Sequence, residues 1–208
     1  MVWFVLAGAV GAGAWAGIRR MLRPPQVPPE FAGPRPEPAP SGYVSHTESV
    51  RIHVPVEHYL RWVNSDEVDL SDLVQGPEGL PSVVGTHVLT GSFEYGDERV
   101  GARRRVELSD GHFLAEEILE DTPQTFRYMI WGFTSYQRLA IDHAVAEFVF
   151  ENRDGETQLT WTYSFKPRWR VLRPFVGRFV DSVWAGLMKR ALEAMRTGAE
   201  ASAASSRR

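Results

Sequence analysis

The residues whose types and spacing could support chemistry are a basic and an acidic residue on either side of a predicted hairpin turn. Arg104 and Glu116 flank the segment Ser109-Asp110-Gly111, which is typical of such a turn. A three-residue loop pairs Arg104 with Glu116, whereas a two-residue turn at Asp110-Gly111 pairs Arg104 with Glu117. In either register the ion pair can face inward and orient a polar group, or lie on the outer face as a weak surface salt bridge.

Other patterns for catalysis or metal binding are missing from the sequence. The chain has no cysteine, which excludes disulfides, thiolate metal sites and a cysteine nucleophile. Its six histidines show no metal-binding spacing, and no nucleophile elbow or phosphate-binding glycine loop occurs. Asp142 and His143 are adjacent, and because neighbouring side chains of a strand point to opposite faces, we expect no dyad. We therefore predict no metal site and no cofactor.

The elements that position these residues follow from hydrophobic periodicity. The sequence predicts a first strand at Tyr43–Val54, short helices at 55–64 and Val68–Val74, and a long helix at Phe175–Arg196. Six further strands are predicted at Val83–Tyr95, Arg99–Leu108, His112–Leu119, Thr125–Phe133, Ala140–Phe150 and Thr157–Phe165. Every second residue of the last strand is apolar, as in a half-buried antiparallel sheet. This order predicts an α+β fold in which a curved antiparallel sheet of six to seven strands surrounds the long C-terminal helix.

A set of short motifs lies within this predicted sheet. The segment Val100–Ile130 contains Gly101, Arg104, Asp110-Gly111, Glu116 and Tyr128, and the Trp161 strand and Lys166-Pro167 follow it. In this order the motifs resemble the START-like superfamily, also called SRPBCC, and in particular its polyketide cyclase/dehydrase and lipid-transport branch. The resemblance covers about Tyr43–Arg196. It implies a helix-grip fold with a cavity between sheet and helix that holds a hydrophobic small molecule.

The strand aromatics and the ion pair are the expected lining of this cavity. The expected ligand-binding residues are Arg104, Glu116, Tyr128, Trp131, Phe148, Trp161, Tyr163, Phe179 and Val183, with Tyr95 and Phe133 as further lining. We expect a binding or carrier protein for a lipid-like, isoprenoid or polyketide-like molecule. The alternative is a polyketide cyclase or aromatase-like enzyme that uses the same cavity.

The N-terminus predicts a membrane anchor at residues 1–20. Val2–Ile18 has no charged residue and as a helix would be ~25 Å long, close to the ~30 Å of a hydrocarbon core. The basic residues Arg19, Arg20 and Arg23 follow it, which by the positive-inside rule places the domain in the cytoplasm. The alternative is a signal peptide cleaved near Ala14-Trp15-Ala16, which would leave a secreted or periplasmic domain. No basic residue precedes the apolar run, however.

Small residues recur within the predicted anchor. Ala9, Gly13 and Gly17 lie four residues apart on one helix face, which would permit a weak homodimer through the anchor. Small residues are also common in short anchors, and this simpler explanation is favoured.

The remaining segments complete the predicted organisation. Residues 21–42 form a proline-rich linker, residues 43–197 the ligand-binding domain, and residues 198–208 a disordered tail. The net charge of −3 argues against a nucleic-acid partner. A basic cluster with an interleaved tryptophan predicts docking on a membrane, through Lys166, Arg168, Trp169, Arg170 and Arg173. The alternative is a solvated basic face that is neutralised by the acidic first helices.

Overall fold

The structure, a computed structural model, describes residues 25, 27–74 and 80–206. The predicted anchor at residues 1–20, with its small-residue face, lies outside these residues. Among the helices that the structure describes, none combines the length and the apolar character needed to span a bilayer.

A seven-stranded antiparallel sheet forms the main layer, with the strands in the order β1-β7-β6-β5-β4-β3-β2. The strands are β1 (Val44–Ile52), β2 (Val83–Thr90), β3 (Arg103–Leu108), β4 (Phe113–Asp121), β5 (Thr125–Trp131), β6 (Ile141–Arg153) and β7 (Glu156–Pro167). Two short helices, α1 (Val56–Val63) and α2 (Leu70–Leu73), follow β1. The predicted α+β class and element order are confirmed. The strand β2 ends five residues earlier than predicted, before Gly91, whose positive φ of 74° suits a turn.

The alternation of β7 explains where the core lies. Leu159, Trp161, Tyr163 and Phe165 are all buried on one face. On the opposite face Thr162 exchanges a hydrogen bond of 2.9 Å with Thr47 of β1. The sheet therefore presents one apolar face to the helices, as the period of two requires.

The C-terminal helix differs from the prediction in two ways. It consists of α3 (Arg173–Phe179), a π-helical turn at Val180–Trp184, and α4 (Ala185–Ser205). The helix thus continues through residues that the sequence assigned to a disordered tail. Ala199 is fully buried, and a Cβ built on Gly198 would lie 2.2 Å from Cζ2 of Trp62. Packing against α1 therefore stabilises the last turns of α4. The hydrophobic periodicity used to predict the helix ends at Arg196 and does not indicate this contact.

The described part of the proline-rich segment lies against the outer face of the sheet. The carbonyl of Pro29 accepts a 2.7 Å hydrogen bond from Nε1 of Trp131. The Phe31 ring contacts Trp131 and His143 edge-on, and Arg35 forms an ion pair with Glu117. These contacts make residues 29–35, which lie within the predicted proline-rich linker, a strap across the sheet. The strap covers apolar residues that β4, β5 and β6 place on their outer side.

Candidate ligand cavity

A cavity of about 740 Å³ lies between the inner face of the sheet and the helices. The helix α4 packs chiefly against β1 at one edge of the sheet, and α2 contacts both α4 and β2. The space between these contacts is lined mainly by apolar side chains. Those of the sheet include Val106, Leu114, Ile118, Phe126 and Ile130, and those of the helices include Leu60, Val63, Leu73, Leu187 and Met195.

The structure brings most of the predicted site residues together at this cavity. Seven of the nine line it: Arg104, Glu116, Tyr128, Phe148, Trp161, Tyr163 and Phe179. Tyr95 and Phe133 line it as well. Their contact with a ligand stays a prediction.

Trp131 was placed in the cavity by the sequence analysis, and this placement is wrong. Along β5, Tyr128 and Ile130 line the cavity, so the odd-numbered neighbour Trp131 must point to the outer face. There it is buried under the strap, with Phe31 as a neighbour. The sequence analysis counted Trp131 among the strand aromatics of the cavity, but the alternation of β5 places it on the opposite face of the sheet.

Val183 is also outside the cavity lining. It lies within the π-helical turn at Val180–Trp184, which takes more residues per turn than an α-helix. The rotation of the helix face brings Trp184 to the cavity in its place. Trp184 meets the rings of Tyr163 and Phe165 edge-on, at centroid distances of 4.8 and 5.1 Å.

The ion pair of Arg104 and Glu116 is the main polar feature of the cavity. Leu108 N–H bonds to the His112 carbonyl, and Arg104 pairs with Glu116, as in the three-residue loop. Nη2 and Nε of Arg104 donate to Oε1 of Glu116 at 2.7 and 3.1 Å. The side chain of Glu116 is 5% exposed and that of Arg104 19%. The guanidinium also lies over the Phe93 ring, 4.7 Å from its centroid.

Two tyrosines extend this polar feature into the aromatic part of the cavity. Burial raises the pKa of Tyr128 well above its ordinary value, and the negative charge of Glu116 raises it further. Burial likewise raises the pKa of Tyr163, with smaller contributions from Tyr128 and Glu116. Both phenols therefore keep their protons at neutral pH, and a hydrogen bond joins the two hydroxyl groups.

A second polar cluster at the cavity was not predicted. Arg99 is buried and bonds to both carboxylate oxygens of Asp121, at 2.6 and 2.8 Å, and to Oδ1 of Asn64 at 2.8 Å. Its guanidinium lies over the rings of Tyr95 and Phe126, 5.5 and 5.4 Å from their centroids. The cluster joins the end of β4 to the end of α1. Its members are far apart in sequence, and no local pattern predicts such a contact.

Asp142 and His143 form a hydrogen-bonded pair, contrary to the expectation from strand alternation. Nδ1 of His143 lies 2.8 Å from Oδ2 of Asp142, and Nε2 lies 2.9 Å from the Tyr43 hydroxyl. A register shift between Ile141 and His143 at the start of β6 breaks the alternation here. The pair lies on the outer face beneath Phe31, away from the cavity. Within the described ranges, no group of three or more potential ligands could hold a metal ion.

Several solved structures are similar to this architecture at low sequence identity. Ara h 8.0201 is 15% identical with a TM-score of 0.51, and the match covers 76% of this chain and 98% of that one. The Zhui aromatase/cyclase from Streptomyces sp. R1128 is 15% identical with a TM-score of 0.56, over 76% of this chain and 94% of that one. A protein from Nitrosospira multiformis is 15% identical with a TM-score of 0.52, over 74% and 94%. No family model and no curated protein matches the sequence.

These likenesses establish the fold. The chain has the SRPBCC, or Bet v1-like, helix-grip fold, and the resemblance read from the sequence is confirmed at that level. One similar structure is an aromatase/cyclase, but a shared fold does not by itself determine whether this chain is an enzyme.

Proposed function

We propose that this chain binds a hydrophobic small molecule in the cavity and acts as a binding or carrier protein. The observation that carries the proposal is the space of about 740 Å³ with a mainly apolar lining. Ligand sites typically have volumes of ~300–1,000 Å³ and a few polar groups that fix orientation. The cavity therefore suits a lipid-like, isoprenoid or polyketide-like molecule.

The polar end of the cavity supports a ligand with an uncharged head. Arg104 and Glu116 neutralise one another, so an added ionic group would meet little net charge and would still lose its hydration. A hydroxyl or carbonyl group could instead bond to the remaining donors of Arg104 or to the tyrosine hydroxyls. The aromatic residues would contact the apolar body of the ligand.

Titration with an environment-sensitive hydrophobic fluorophore tests the binding proposal. We expect one saturable site with ~micromolar affinity. Leu114 lines the cavity, and Leu114→Trp should fill part of it and abolish this binding. Val84→Trp adds the same indole at a position that is 57% exposed and outside the lining, so it should bind as the wild type does. Equal binding by both variants would contradict the proposal.

The second candidate is a cyclase or aromatase-like activity. It is favoured by the fold shared with an aromatase/cyclase and by the polar groups Arg104, Glu116, Tyr128 and Tyr163 at one cavity. Mass spectrometry of the protein incubated with a poly-β-ketone mimic would reveal loss of water on cyclisation. For an enzyme, Glu116→Gln should slow this loss while binding persists. For a carrier, the mimic should be recovered unchanged.

We further propose that residues 1–20 anchor the chain in a membrane, with the domain on the cytoplasmic side. The proposal depends on the uncharged run and the arginines that follow it. A reporter fused after Arg208 should be active in the cytoplasm. A mature chain beginning at Gly17 would instead support the cleaved, exported form.

A further inference from the structure

Large apolar side chains are exposed together at one end of the domain. Tyr136 and Leu139 lie on the 3₁₀ turn between β5 and β6, and Trp169 and Val171 lie on or next to the 3₁₀ turn after β7. Phe175, on the first turn of α3, is 69% exposed. We call these five residues the rim patch. Exposed apolar groups that cluster in this way are typical of interaction surfaces.

The two turns that carry most of the rim patch are joined by hydrogen bonds. The backbone N–H of Arg168 donates to the Ala140 carbonyl at 2.8 Å. Nη1 of Arg168 donates to the Arg138 carbonyl at 3.2 Å. The segment Arg170–Leu172 then continues directly into α3. The patch is therefore one continuous region of the surface.

Arginines surround the rim patch without acidic partners. The chain has no aspartate or glutamate between Lys166 and Val180. Within the described ranges, five arginines here form no ion pair with a carboxylate: Arg138, Arg168, Arg170, Arg173 and Arg178. On the sheet, by contrast, Arg103, Arg104 and Arg127 each contact a glutamate. Lys166, which the sequence analysis assigned to docking, lies over the Tyr43 ring, 4.9 Å from its centroid, and its part in docking stays a prediction.

We propose that the rim patch and its arginines dock on the surface of an anionic lipid bilayer. Guanidinium groups bind lipid phosphates, and tryptophan and tyrosine favour the headgroup level of a membrane. An aromatic ring can stack on an unpaired base, but exposed aliphatic groups such as Leu139 and Val171 have no comparable partner on a nucleic acid. All five side chains of the patch can enter the interface of a bilayer. The combination of unpaired cations with exposed apolar groups therefore favours a membrane over a nucleic acid.

The docking surface adjoins one end of the cavity. Phe133, Ser135 and Gln137 belong to the connection that carries Tyr136, and all three line the cavity. Phe179 lines it from α3, one turn after Phe175. Docking would therefore hold this end of the cavity against lipid. That consequence alone rests on the proposed ligand function, whereas the docking itself does not.

Hydrogen–deuterium exchange on the full chain tests the proposal, because it reports on the patch separately from the N-terminal segment. With vesicles of phosphatidylglycerol and phosphatidylcholine, we expect protection in residues 133–140 and 166–178 that falls with added salt. Pure phosphatidylcholine vesicles should give much less protection. Arg170→Gln/Arg178→Gln should raise the lipid concentration needed for half protection about 30-fold, which is about 1 kcal/mol for each arginine.

The control variant is Arg61→Gln/Arg190→Gln, which removes the same charge from exposed arginines on α1 and α4. It should leave the protection unchanged. Equal protection by neutral vesicles, no protection by anionic ones, or equal weakening in the control would overturn the proposal. So would stronger protection by polyglutamate than by vesicles, which would indicate an acidic protein partner. Fluorophore binding measured on the same samples would show separately whether the cavity proposal fails.

Discussion

The burial of the ion pair between Arg104 and Glu116 can be tested by the loss of folding stability when one partner is removed. In the wild type the Glu116 side chain is only 5% exposed and its carboxylate lies 2.7 Å from Arg104. Arg104→Met removes this partner. Removing one member of a buried pair typically costs ~3–5 kcal/mol, because a charge stays buried without compensation. The residual exposure of Arg104 places our expectation at the lower end, about 3 kcal/mol.

The double variant distinguishes a buried pair from a surface one. Arg104→Met/Glu116→Leu removes both charges and leaves apolar groups at the cavity, so its stability should return to within ~1 kcal/mol of the wild type. Arg153→Met is the matched control, since Arg153 and Glu151 form a pair in which both side chains are at least half exposed. That change should cost less than ~1 kcal/mol. Urea unfolding followed by circular dichroism measures all four proteins. If Arg104→Met costs no more than Arg153→Met, the pair is not buried as described.

Three further predictions concern the core, the last helix and the tyrosines. Trp161→Ala should lower the free energy of unfolding by ~3 kcal/mol and weaken fluorophore binding. Unchanged stability and unchanged binding would contradict the buried position of Trp161 at the cavity. Gly198→Ala should destabilise the protein by ~1–3 kcal/mol because Trp62 must move. The control Gly186→Ala should have no such effect, since its Cβ would meet nothing closer than 3.7 Å. Comparable melting temperatures for the two variants would refute the packing of Gly198 against Trp62. Burial raises the pKa of Tyr163. The contribution of the protonated Tyr163 to stability is therefore complete below pH ~10, the pKa of an unfolded tyrosine, and is lost as the pH rises through the raised pKa of the folded state. Its tyrosinate absorbance, obtained by difference from Tyr163→Phe, should appear only with alkaline unfolding.

Local patterns were sufficient to predict the sheet and to place Arg104 opposite one of two neighbouring glutamates. The alternation in β7 specifies which residues are buried, since a shift by one residue would expose Trp161 and Tyr163. The Ser109-Asp110-Gly111 loop left two registers open. The structure contains the one that pairs Arg104 with Glu116, because Leu108 bonds to His112.

The features that the sequence did not predict depend on contacts between distant segments. The strap has no periodic pattern, and its position depends on the apolar outer face formed by Trp131 and its neighbours. Val183 keeps the α-helical spacing, and no local pattern indicates the π-helical turn that interrupts this spacing, where Trp184 packs against Phe165. The Arg99 cluster joins three separate segments, so no window of sequence contains it.

Native mass spectrometry of the chain purified from its own host tests the central claim most directly. If the cavity holds a hydrophobic small molecule, the spectrum should contain one adduct per chain that organic extraction removes. The cavity-filled variant Leu114→Trp should lack that adduct, and Val84→Trp should retain it. A bare chain throughout, or the same adduct on Leu114→Trp, would contradict the account.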